Sequence, residues 1–295
     1  MQWSVSAGSS QAVPHSEGDQ PPVLAAPANA CDSHMHVYDP RFPASPHWKK
    51  SPPVATVDAY RLFQRRIGTS RTVVVTPSTY GIDNCCTLDA LATLGHQSRG
   101  VAVVGAQVED AELERLRDGG IVGLRVNFVS PQSWGNSTPE MLLTLAERVA
   151  PLGWHVQVLM QAEQIVQHRR LLARLPVPVV FDHLGRLPQP LGTMHEAFAV
   201  VADLMRESRA YVKLSGAYMD TVTGAPAYAD VSAVARAFVD VAPAQVIWGS
   251  DWPHPTECRK PNDAVLFDLL RDWAPDPATI HRILVANPEK LYRFA

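Results

Sequence analysis

A closed (β/α)8 barrel is the fold this sequence predicts, and three observations predict it. Eight short apolar segments alternate with helix-patterned segments, the order expected of a parallel sheet covered by helices. The length, 295 residues, exceeds an ordinary domain but suits one barrel. No Gly-x-Gly-x-x-Gly follows the first apolar segment, which disfavours a doubly wound dinucleotide fold. Apolar residues make up 46% of the chain, enough for one large core, and no second domain or longer repeat is visible.

Residues 1–29 are rich in Ser, Ala, Gln and Pro and read as a flexible leader or an arm over the barrel surface, with the barrel domain spanning 30–295. The leader lacks the basic and apolar regions of a secretory signal. The first strand is expected at 30–37. A loop holding Pro40, Pro43, Pro46, Pro52 and Pro53 follows, too long for a plain connection and so expected to be functional or a lid. A helix begins at Val57, with Asp58 in its first turn. Strand two covers 72–78, and after the loop 79–84 a helix lies around 86–94. Strand three (100–106) leads to a helix at 111–118, strand four (123–128) to one at 139–150, and strand five (155–160) to one at 162–175. Strand six (177–183) precedes a helix at 195–206. Strand seven (211–215) is followed by a loop rich in Gly, Ala, Pro and Tyr, then a helix at 231–241. Strand eight is Val246 to Gly249, stopped by Pro253, with helices at 262–274 and 277–292 after it.

The net charge is −3, with no basic stripe for nucleic acid and no charged tail. No apolar run approaches the roughly 18 residues of a membrane span. The four cysteines, Cys31, Cys85, Cys86 and Cys258, form no Cys-x-x-Cys and are expected as free thiols in a reducing cytoplasm.

In a (β/α)8 barrel the reactive groups sit at the C-terminal ends of the strands. The polar residues there are His34 and His36, Ser78, Arg125 and Asn127, His183, Ser215, and Asp251 with His254. His34 and His36 are two apart, which in a strand points both imidazoles to one face. Strands one and eight are neighbours in a closed barrel, so His34, His36 and Asp251 should converge. A carboxylate at a buried strand end is costly without a partner or a task. Tyr80, Trp48 and Tyr218 lie in loops and would line a pocket or cover the barrel mouth. Asp32 is expected to play a supporting role. Lys213 points inward by parity with Ser215, toward an ion pair or a substrate.

Three motifs carry a resemblance: Asp32-Ser33-His34-Met35-His36, Asp182-His183-Leu184-Gly185, and Trp248-Gly249-Ser250-Asp251-Trp252-Pro253-His254. Together they resemble the amidohydrolase superfamily (amidohydrolase-related family 2), over about residues 30–295. Within it the chain is similar to the lactone-hydrolysing branch, which includes 2-pyrone-4,6-dicarboxylate lactonase, sugar-lactone hydrolases and galactarolactone isomerase. Gly81 to Asn84 and Gly153 to Val156 also resemble this branch.

The resemblance implies an amidohydrolase-like TIM barrel that opens a lactone without a required cofactor. Metal-dependent members usually carry a histidine at the end of strand five; here His155 lies at the beginning of that strand. The alternative is one Zn2+ or other divalent ion on His34, His36, His183 and Asp251. The implied catalytic set is Asp251, His34, His36 and His183, with Arg125, Ser78, Asn127, Tyr80 and His254 binding substrate. Arg125 matches one carboxylate-gripping arginine of the dicarboxylate lactonases. Val129-Ser130-Pro131 after strand four brings no second arginine, so the expected substrate is a small lactone or carboxylic acid with one carboxylate or none. A metal-dependent decarboxylase and a sugar-lactone isomerase are the competing activities. Asp251 favours hydrolysis over isomerisation, because it offers water a base.

Overall fold

The computed structural model describes residues 10–130 and 137–294. Eight parallel strands run in the order β1 to β8: β1 (Cys31–Met35), β2 (Arg71–Val75), β3 (Ser98–Ala102), β4 (Ile121–Asn127), β5 (His155–Leu159), β6 (Val179–Phe181), β7 (Ala210–Leu214) and β8 (Val246–Trp248). Helices occupy the connections, as in a (β/α)8 barrel. Every strand is near its expected place, but most are shorter. Strand six keeps only three residues, because Asp182 and His183 turn off the sheet into a helical turn, His183 with φ 47. Strand three begins at Ser98, two residues earlier than its apolar run, because Thr72 pairs with Ser98.

Two packed layers hold the barrel. Cys31, Val73, Val75, Val101, Val180, Tyr211 and Ile247 form a cluster with Tyr292 and Phe294 from the C-terminal segment. The larger apolar cluster includes helix residues such as Phe63, Leu142, Val201 and Phe238 together with the strand residues Val74, Leu124 and Val156. The helix at Val57–Ile67 illustrates the coding. Thr56 accepts from the Ala59 amide at its start, Asp58 lies in the first turn, and Gly68 ends it with φ 91, a conformation glycine adopts without steric cost.

The barrel closes where the chemistry was expected. Met35 bridges Trp252 in parallel, the Asp251 amide donates to the His34 carbonyl at 2.8 Å, and the His36 amide donates to the Trp252 carbonyl at 2.9 Å. The segment after β8 therefore zips directly onto β1. Only glycine fits at 249, since a Cβ there would lie 2.7 Å from the His34 Cβ and 2.9 Å from its backbone nitrogen.

Residues 10–29 run along the outside of the barrel. Val13 and Leu24 are buried, the Trp252 indole donates to the Pro14 carbonyl, and the buried Arg66 holds Ser16, Glu17 and Gln20. The first nine residues of the expected leader, and Pro131, lie outside the described residues. No helix among the described residues is long and apolar enough to cross a membrane.

Candidate active site

The seam between β1 and β8 builds the centre of the site. Asp251 follows β8 in a left-handed conformation, φ 60, which costs a non-glycine residue on the order of 1–3 kcal/mol and is held here by the seam hydrogen bonds. Its Oδ1 stands 3.4 Å from His36 Nε2, 3.6 Å from His34 Nε2 and 4.0 Å from His183 Nε2. Its Oδ2 accepts a hydrogen bond from the Tyr218 hydroxyl at 2.7 Å. All four expected catalytic side chains thus meet. Burial opposes ionisation of Asp251, but the imidazoles of His183, His36 and His34 outweigh it and hold the carboxyl well below the usual carboxylate range.

A buried polar lattice lies beneath. Asp182 Oδ2 accepts from Arg125 Nε at 3.0 Å and from Gln157 Nε2 at 3.1 Å. A carboxylate only accepts, so the Gln157 amide is fixed with its oxygen toward Lys213, whose Nζ donates to it at 2.6 Å. Lys213 Nζ also stands 3.1 Å from His34 Nδ1. Burial pushes the Lys213 ammonium down to about 8, partly countered by Asp182. Burial and the charge of Lys213 push His34 well below its ordinary value, so its ring is neutral near pH 7. Burial likewise lowers His183, whose Nδ1 pairs with the Ser215 hydroxyl at 2.9 Å.

Above this floor opens a cleft of about 560 Å³ at the C-terminal end of the barrel. His36, His183, Asp251, Arg125, Ser78 and Asn127 line it, and Asn127 Nδ2 donates to the Ser78 hydroxyl at 2.8 Å. The proline-rich loop contributes Trp48, Lys50, Pro52 and Pro53 to its rim. Two of the expected substrate contacts lie elsewhere. His254 is fully buried behind the cleft, between the Tyr218 hydroxyl at 2.9 Å and Asp263 at 3.0 Å. Tyr80 is buried with its hydroxyl on the Asp39 amide and lines a neighbouring surface groove. Sequence reasoning missed Arg186, which lines the cleft and pairs with Asp220 at 2.7 Å. Its signal was its place directly after Asp182-His183-Leu184-Gly185. Arg125 pairs with the buried Asp182 carboxylate and lines the cleft. Asp32, in its supporting role, accepts from the Ser250 amide and hydroxyl and from Tyr60.

His34, His36 and Asp251 bring three ligand-type atoms within 4.8 Å of one another, as do His34, Asp182 and His183. In the first group the separations are 3.2, 3.4 and 3.6 Å, close to the roughly 3.3–3.4 Å between donors about 2.0–2.1 Å from a tetrahedral zinc. The outer hydrogen bonds decide the fit. His36 Nδ1 is 2.8 Å from the Val75 carbonyl, which can only accept, so a neutral His36 turns a lone pair toward the site. His34 Nδ1 lies against two groups, the Lys213 ammonium at 3.1 Å and the Asp182 carboxylate at 3.2 Å, and only the second is the backing that a ligating histidine takes. With Lys213 as the donor to Nδ1, His34 keeps no lone pair on Nε2 for an ion; with Nδ1 turned to Asp182, the three groups would hold one.

A family model described as Amidohydrolase matches residues 31–294. The 2-pyrone-4,6-dicarboxylate hydrolase of Comamonas testosteroni is 36% identical over 283 residues, covering 92% of each chain. The 4-sulfomuconolactone hydrolase of Hydrogenophaga intermedia is 33% identical over 272 residues, covering 90% of this chain and 89% of its own. An apo crystal structure from Agrobacterium tumefaciens superposes with a TM-score of 0.86 at 30% identity, over 93% of this chain and 99% of that one.

Proposed function

The chain belongs to the amidohydrolase family, and from that membership we propose that it hydrolyses a carboxylated lactone of pyrone, muconolactone or sugar-acid type. The observation that carries this reading is Asp251, an ionised carboxylate on a cleft floor with three imidazoles within 4.0 Å of it. Water held against Asp251 gives it a proton and attacks the lactone carbonyl. His34, His36 and His183 polarise that carbonyl and stabilise the oxyanion. His36, committed to Val75 through Nδ1, can donate from Nε2 only as the imidazolium. The proton on Asp251 then passes to the departing ring oxygen, which leaves as an alcohol, or as an enol from a pyrone, while the carbonyl carbon becomes a carboxylic acid that releases its proton to solvent.

No cofactor is part of this proposal. Several positioned donors suffice because the developing charge rests on one oxygen at a largely buried site. The competing metal-dependent decarboxylase draws support from the spacing of His34, His36 and Asp251, and loses it at the ammonium behind His34. The reading is tested with a panel of pyrones, muconolactones and aldonolactones, followed by acid release in chelator-treated buffer. Turnover of a carboxylated lactone is the expected result. No turnover of any member, or turnover that returns only with zinc, would overturn it.

Arg125 and Asn127 extend from β4 to the side of the cleft, with Ser78 hydrogen-bonded to Asn127, and we assign them to the substrate. Arg186 adds a second guanidinium to the wall, already balanced by Asp220. Arg125→Met should weaken binding of a carboxylated lactone by about 2–5 kcal/mol, the cost of leaving a desolvated partner unpaired. A neutral lactone should be little affected. KM measured for a matched pair of substrates checks this, and equal losses for both would make Arg125 structural.

A further inference from the structure

We propose that Lys213 is a positioning residue that fixes the tautomer of His34, keeping the proton on Nε2, where His34 acts as a hydrogen-bond donor and cannot ligate a metal. The inference rests on the lactone reading only for the use made of that proton. It is carried by a directional chain of contacts through the barrel.

The chain can be followed atom by atom. Gln157 donates from its amide nitrogen to Asp182 Oδ2, so its oxygen faces Lys213 and Lys213 donates there. The next atom within reach of the same ammonium is His34 Nδ1, at 3.1 Å. An ammonium has hydrogens and no lone pair, so Nδ1 must accept. A neutral imidazole carries one N–H, which places it on Nε2. At the far end a neutral His36, the resting form before it takes up a proton, calls for the same polarity. His36 Nδ1–H donates to the Val75 carbonyl, leaving His36 Nε2 as an acceptor, and His34 Nε2 lies 3.2 Å from it in hydrogen-bonding geometry. His34 is the donor of that pair. Both ends of the ring thus require the Nε2–H form.

A competing arrangement is built into the same site. Asp182 Oδ1 lies 3.2 Å from His34 Nδ1 and accepts no hydrogen bond among the described residues. Were Nδ1 protonated, this oxygen would be its partner, the carboxylate–histidine pair that backs a metal-ligating imidazole. Nε2 would then turn a lone pair toward His36 Nε2 and Asp251 Oδ1, whose separations already suit zinc. Lys213 therefore decides between two chemistries that the remaining side chains would permit: a donor to a carbonyl oxygen, or a ligand to a cation. His183 packs beside the His34 ring, their centroids 4.8 Å apart, with its own Nδ1 on the Ser215 hydroxyl.

The test is the protonation of one ring. In protein labelled with 15N-histidine, two-bond proton–nitrogen correlation distinguishes a bare from a protonated ring nitrogen, and His34→Gln identifies the His34 signals. Wild type should show His34 with Nδ1 bare and Nε2 protonated, and should take up no zinc at this site from a buffered zinc solution. Lys213→Met should move the proton to Nδ1 and raise uptake to about one zinc per chain on His34, His36 and Asp251. A wild-type His34 protonated on Nδ1, or a Lys213→Met spectrum unchanged from wild type, would overturn the proposal. The wild-type spectrum decides even if the variant fails to fold. Neither readout needs turnover, so failure of the tautomer assignment and failure of the lactone reading are separate results.

Discussion

Asp251→Asn should lower lactone turnover by about two to four orders of magnitude, the usual worth of a positioned general base. The amide keeps the shape and can still meet the Tyr218 hydroxyl, which now contacts Oδ2 at 2.7 Å. What it loses is the ability to take a proton from water. KM should change far less, because the lost interaction acts in the transition state and not in binding. The neighbouring imidazoles hold the Asp251 carboxyl well below the usual range, despite the burial that opposes them. The base is therefore already charged across the neutral and mildly acidic range. Turnover against pH should show no acid limb from this carboxylate above about pH 4. A carboxylate held so low is a weak base. Its basicity is restored when the carbonyl oxygen of the substrate claims the imidazole protons that now stabilise it. A variant that retains more than about a tenth of wild-type turnover would remove Asp251 from the base role. The isomerase reading would then gain, since that reaction does not activate water.

The centre of this site was legible in the sequence because it depends on local spacing and on closure alone. His34 and His36 share a face by strand alternation, and the end of strand eight must meet strand one in any closed barrel. Asp251 therefore had a predictable partner almost the whole chain away. His155 was likewise placed by its strand position, at the start of β5 and far from the seam. The lattice beneath the site was not legible. Inward parity puts Lys213, Gln157, Arg125 and Asp182 in the barrel, but their pairing depends on register across four strands: Arg125 opposite Gln157, and Gln157 opposite Val180. No single-chain pattern encodes that register. The two misplaced contacts have a related cause. His254 follows Asp251 by three residues, close enough to suggest the cleft, yet its left-handed backbone, φ 54, accompanies a side chain buried against Tyr218 and Asp263. Tyr80 sits in a loop whose path depends on the proline-rich segment beside it, where Asp39 and Ser45 meet residues 79 and 80.

Asp182→Asn should destabilise the fold by about 3–5 kcal/mol, the cost of breaking a buried ion pair by removing one partner. Asp182 is fully buried, and Arg125, Lys213 and Gln157 are all arranged around it. Without its charge, Arg125 and Lys213 lose their common counter-ion, and among the described residues no other carboxylate pairs with either. Lys213, already lowered to about 8 by burial with Asp182 beside it, would shed its proton more readily and recover part of the loss. At this chain length an unfolding entropy of roughly 0.6 kcal/mol per kelvin turns the expected loss into a fall of about 5–8 °C in the unfolding midpoint. The pH dependence identifies the cause. Burial pushes the Asp182 carboxyl up, but the charges of Arg125 and Lys213 beside it hold it well below its ordinary value. A depressed carboxyl stabilises the fold fully above its unfolded value, about 3.9, and the contribution fades as pH falls through the lower folded value. Urea unfolding should therefore give a wild-type-to-variant gap at pH 5 no smaller than at pH 7, where a neutral Lys213 offsets more of the loss, and a gap that shrinks by pH 5 would mean that Asp182 is protonated in the native barrel. A variant within about 0.5 kcal/mol of wild type at both pH values would place the residue among ordinary surface substitutions, and the polar lattice under the histidines would then owe its order to some other group.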